Sequence, residues 1–157
     1  MVRIGLLFVV SVIASRGSES VHQRNAITAV IAEFNAAVRV NDSDRLLRLF
    51  TGDADYRVAM SPPVPAVTGI RDTPAKRLPF DERTRLMMKI QRLRFIRSDI
   101  AIADALQSDH SPMLGTSRYW SCIFVLVQVG RDWKIASYRE SLVVESGSHA
   151  NAARTHR

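Results

Sequence analysis

Two carboxylates stand on strand-length apolar runs, Asp104 in IAIADAL and Glu140 in KIASYRES, and they are the residues best suited to proton transfer. Three tyrosines, Tyr56, Tyr119 and Tyr138, could hydrogen-bond or stack on a substrate beside them. Apolar surroundings disfavour an ionised carboxylate, which suits a general acid or base working near neutral pH. Other chemistries find no support. His22, His110, His149 and His156 are scattered without metal-ligand spacing, and neither a Gly-rich phosphate loop nor a GxSxG turn occurs. No metal and no other cofactor is expected. Cys122, the only cysteine, lies mid-strand between Ser121 and Ile123 and reads as a buried small residue rather than a nucleophile.

The elements that must position these residues begin at Ala26. Ile27, Val30, Ile31, Phe34 and Val38 recur at three- and four-residue steps, the stripe of an amphipathic helix. Asn41-Asp42-Ser43-Asp44 breaks that stripe, and Asp42 or Ser43 can cap a short second helix carrying Leu46, Leu47 and Phe50. Gly52 is expected to end it. Asp53 to Met60 reads as a first strand. The segment 61–81 holds five of the six prolines and is expected to be irregular and exposed. Residues 85–96 fit either a helix or a strand. The turn signal Ser98-Asp99 and the run Ile100–Leu106 favour a strand in a hairpin. Thr116–Val129 is a long strand with both faces apolar from Cys122 to Val127. One face would meet the helix, and the other could meet a second subunit. Gly130-Arg131-Asp132 turns the chain into a last strand, Trp133–Val144.

The chain of 157 residues fits one domain with tails: 1–20 as signal peptide or disordered N-terminus, 21–144 as the domain, and 145–157 as a flexible tail. The basic start and the apolar run Ile4–Ala14 have the layout of a secretory signal and are too short to span a bilayer. A secreted or periplasmic protein is expected if that segment is a signal, and a cytoplasmic one otherwise. The formal charge is +7, and nine basic residues against three acids lie between Arg71 and Arg97. Such a band could dock an acidic partner. With only Phe80 and Phe95 interleaved, it offers little for base stacking, and no nucleic-acid role is expected.

The helix running into NDSDRLLRLFTGDADYR resembles the opening of nuclear transport factor 2-like domains, which include ketosteroid isomerase and the SnoaL-like polyketide cyclases. The hairpin LRFIRSDIAIADA and the stretch VLVQVGRDWKIASYRES are similar to the SgcJ/EcaC and DUF4440 branch. The resemblance covers roughly Val21 to Val144. It implies an α+β cystatin-like roll: a cone of curved antiparallel sheet wrapped around the long helix, with a pocket at its open end and frequent homodimers through the outer sheet face. The steroid isomerase trio would fall on Phe34, Val58 and Val125, and none has the required polar group, so that chemistry is not expected there. The same alignment turns Tyr56, Val58, Ile102, Asp104, Tyr119, Ser121, Ile123, Val125, Tyr138, Glu140 and Leu142 into the cone. Asp104 and Glu140 are then the catalytic candidates, and Tyr56, Val58, Tyr119, Ser121 and Tyr138 the ligand-binding ones. In the competing arrangement both acids sit at the rim, paired with Arg57 or Arg139. The expected function is binding of a small, partly apolar organic molecule. The alternatives are a cofactor-free isomerase, cyclase or hydrolase, and a non-catalytic interaction module.

Overall fold

The computed structural model describes residues 10–58, 61–72, 85–111 and 116–143, with side chains described at 20–58, 61–72, 87–108 and 118–143. The expected tail and the start of the apolar N-terminal run lie outside these residues. Helix α1 (Val10–Arg39) is longer than its apolar stripe and runs unbroken through the expected boundary at residue 20. The stripe itself is the buried one: Ile27, Ile31, Phe34 and Val38 are all in the core. The helix ends where Asn41 takes a left-handed conformation (φ 55°), which Asn tolerates better than most residues. Asp42 then caps α2 (Ser43–Leu47), its side chain accepting from Arg45 N at 2.9 Å. Arg45 also reaches back to hydrogen-bond Glu33 on α1, and this contact holds the Glu33 carboxyl below its usual range.

Strand β1 (Phe50–Arg57) starts earlier than expected, so Gly52 lies within it and α2 closes at Arg48 instead. Residues 61–72 of the proline-rich stretch are more regular than expected, while 73–81 lie outside the described residues. They form a two-residue strand, β2 (Val64–Pro65), and a helix, α3 (Ala66–Asp72), that buries Ala66, Gly69 and Ile70. Gly69 lets α3 press against β1, because a Cβ there would lie 2.7 Å from Tyr56 Cδ1 and 2.8 Å from Val64 Cγ2. The ambiguous segment is a strand, β3 (Arg85–Arg97), followed by β4 (Ile100–Ser111), β5 (Thr116–Val129) and β6 (Asp132–Val143). Gly130 supplies the positive φ (64°) that two-residue hairpin turns favour.

The six strands form one sheet in the order β2-β1-β6-β5-β4-β3. It departs from the antiparallel expectation at β1, which pairs parallel with β6 and makes the sheet mixed. Register shifts in β3, β6 and β1 are the bulges that bend it around α1. The pairings sort side chains into rows across the inner face. Phe95–Ala101–Leu126–Ile135 and Leu93–Ala103–Phe124–Tyr138–Tyr56 lie under the helix. Ile90–Ala105–Cys122–Glu140 and Met88–Gln107–Trp120–Leu142 lie beyond them, toward one end of the sheet. Phe34 plugs the helix into the second row, with ring centroids 5.1 Å from Phe124, 4.9 Å from Tyr138 and 6.2 Å from Phe50. At the other end Arg24 lies over the Phe95 ring.

The outer face carries ion pairs at its flanks. Arg139 donates to Asp55 at 2.6 Å across the β1–β6 junction. Burial pushes the Asp55 carboxyl up, but hydrogen bonds from Ser137 and Arg139, with the Arg139 charge, outweigh it and hold the group below its ordinary value. A carboxyl depressed in the folded state stabilises above the unfolded value of about 3.9, and that contribution is lost as pH falls through the folded value. Asp55→Asn is therefore expected to lower stability at pH 7 by under about 1 kcal/mol, since the pair is partly solvated. The difference from the parent should shrink below pH 4 in urea titrations.

Candidate functional site

The polar groups that the fold brings inside lie where the helix-covered rows give way to the last two. Tyr138 and Glu140 alternate inward on β6, and both are buried, Glu140 with 4% of its surface exposed. The Tyr138 hydroxyl donates to Glu140 Oε2 at 2.7 Å and lies 3.4 Å from Cys122 Sγ on the neighbouring strand. Tyr56 stacks on Tyr138 (centroids 5.2 Å, planes 22° apart), so the phenol is fixed from β1 as well as by Phe34 and Phe124. The result is a carboxyl, a hydroxyl and a thiol embedded in an aromatic floor. Such a set can accept a proton, donate one, or fix a ligand's polar group. Among the described residues no group of three or more His, Cys, Asp or Glu could hold a metal.

Four sequence-derived placements agree with the coordinates. Tyr56, Tyr138 and Glu140 are buried on the inner face, and Val58 packs half-buried against the core. The inward placements on β4 and β5 do not. Asp104 pairs with Ile123 on the outer face and faces Arg94 across β3, with 3.5 Å between Nη2 and Oδ2 and a third of its side chain exposed. Its ion-pair partner is thus neither Arg57 nor Arg139. Tyr119 and Ser121 are outward too, in register with Ser108 and Leu106, and so are Ile102, Ile123 and Val125. The inner positions are Ala101, Ala103 and Ala105 on β4 and Cys122, Phe124 and Leu126 on β5, all buried. The expected face was one residue out of phase, which turns every side chain of a strand over. Leu142 stands on an inner row but is 49% exposed, which marks that row as the solvent boundary. Gln107 lies outside these expectations: it is 3% exposed, and its Oε1 has no hydrogen-bond partner among the described residues.

No protein-family profile matches the chain, and no curated protein matches it in sequence. Solved structures do. A domain of unknown function with a cystatin-like fold from Nostoc punctiforme superposes with a TM-score of 0.66 at 16% identity, covering 77% of each chain. A nuclear transport factor 2-like protein of unknown function from Shewanella baltica gives a TM-score of 0.60 at 18% identity, over 79% of this chain and 96% of that one. The fold is that of the nuclear transport factor 2-like proteins. A type 2 hexachlorocyclohexane dehydrochlorinase shares it too (TM-score 0.66, 17% identity, 82% of this chain and 90% of the other). The fold thus carries both an enzyme and proteins of unknown function, and a likeness at these identities speaks for architecture alone.

Proposed function

We propose that the inner floor around Tyr138 and Glu140 binds a small, partly apolar organic molecule, and that Glu140 is the group that exchanges a proton with it. The observation that carries this reading is the 2.7 Å Tyr138–Glu140 hydrogen bond inside an aromatic cluster. Burying a carboxyl among rings opposes stability, and the Tyr138 hydroxyl offsets part of that cost while it fixes the carboxyl on the inner face, an arrangement that suits proton exchange with a bound molecule. Tyr138 orients the carboxyl and Cys122 borders it. This chemistry differs from steroid isomerisation as sequence counting would place it, since Phe34 and Val58 bring no polar group and Val125 faces outward.

The outer face supports a homodimer. Ile123 is 41% exposed at its centre, among the half-buried Ile102, Leu106, Val125 and Val127. The ion pairs Arg94–Asp104 and Arg139–Asp55 flank this strip. An apolar centre within a charged rim is the anatomy of a self-association surface. Docking of an acidic partner on the basic band is less favoured, because Arg71, Arg94 and Arg97 already face Asp44, Asp104 and Asp99.

Native mass spectrometry of the purified protein tests both parts. A dimer carrying a small organic mass per subunit is expected, and Ile123→Asp should give monomers that keep that mass. A bare chain mass in every preparation, with no aromatic alcohol shifting the Cys122 or Glu140 amide resonances, would remove the ligand reading. A monomeric parent would remove the dimer.

A further inference from the structure

Gln107 is the only fully buried member of the row Met88–Gln107–Trp120–Leu142. Its neighbours on that row are half-buried or exposed, so the amide sits just inside the solvent boundary. Among the described residues nothing donates to its Oε1, and a buried amide oxygen without a donor opposes folding. A leucine at this position would bury without that penalty.

We infer that Gln107 is a specificity-determining residue whose Oε1 accepts a hydrogen bond from a hydroxyl group of the bound molecule. The inference rests on the ligand reading above and adds the ligand's class. Gln107 stands on β4 and Glu140 on β6, two strands and one row apart, a backbone separation of about 12 Å. A spacing of that order is comparable with the length of a molecule of one or two fused rings. Trp120, on the strand between them, offers such rings a flat apolar wall. The ligand class is therefore a hydroxylated ring compound, with its hydroxyl on Gln107 and its reacting carbon toward Glu140.

The test compares p-cresol with toluene, which differ by one hydroxyl, by amide chemical-shift titration of the full chain. The parent should bind p-cresol about five- to tenfold more tightly, the value of one neutral hydrogen bond. Gln107→Met keeps the shape, loses the acceptor, and should bring the ratio to about one while toluene affinity holds. Gln107→Leu should do the same and melt no lower than the parent. A preference for p-cresol that survives both substitutions overturns the inference and leaves the ligand site standing. A fall of several degrees in the melting temperature of both unliganded variants overturns it too, since the oxygen would then serve the fold. If neither probe binds the parent, the ligand site itself fails and the inference with it.

Discussion

Phe34→Ala is expected to destabilise the protein by about 3–5 kcal/mol, the range for removing a large buried ring. Phe34 is 1% exposed and touches three other aromatic side chains, Phe50, Phe124 and Tyr138, contributed by β1, β5 and β6. None of the three can fill the space alone, because each is held by its own strand. Tyr138 would also lose one of the rings that fix it, so the damage should reach the candidate site. Urea unfolding followed by far-ultraviolet circular dichroism should show the midpoint falling steeply with little change in slope. Since whole domains are stable by about 5–15 kcal/mol, the variant should stand near the threshold of folding at 37 °C. A loss under about 1 kcal/mol would mean that α1 does not organise the sheet.

This central role of α1 was legible because a helix stripe has a period that loops and strands lack. Ile27, Ile31, Phe34 and Val38 fall on the buried side as their spacing requires. Two of the three hairpins among β3–β6 were legible from Ser98-Asp99 and Gly130-Arg131, and β6 gave its face away by alternating Tyr138 and Glu140 with charged or polar neighbours. Strands β4 and β5 gave no such sign. From Cys122 to Val127 both faces of β5 are apolar, so alternation cannot say which side is inside. On β4 the larger Ile100 and Ile102 point outward while Ala101 and Ala103 point in, against the habit of placing bulk in the core. The inversion makes room: Ala103 lies beside Phe124 in the row that also holds Tyr138 and Tyr56. Once the alanines are known to face inward, Gln107 follows by parity, so its signal was present but unreadable without the register. The parallel β1–β6 pairing joins residues about eighty positions apart and has no local signature. Helix α3 was hidden by the prolines that flank it in sequence, Pro65 before its start and Pro74 after its end.

The inverted face also decides which carboxylate can matter, and two variants should separate the candidates. Glu140→Gln keeps volume and leaves an amide oxygen that can still accept from the Tyr138 hydroxyl, so the fold should change by no more than about 1 kcal/mol. What it removes is the exchangeable proton. Loss of a general acid or base typically slows turnover by about 10²–10⁴-fold. That drop is expected for whichever molecule native mass spectrometry identifies as substrate. Asp104→Asn should leave turnover unchanged, because Asp104 faces Arg94 on the opposite side of the sheet. Tyr138→Phe should fall between them: it loses the 2.7 Å bond that aims the carboxyl but leaves the carboxyl in place. Equal losses in the Asp104 and Glu140 variants would point to a general effect on the sheet. Full turnover in Glu140→Gln would reduce the buried carboxyl to a binding group, and the Tyr138 pair would then serve to orient a ligand and not to transform it.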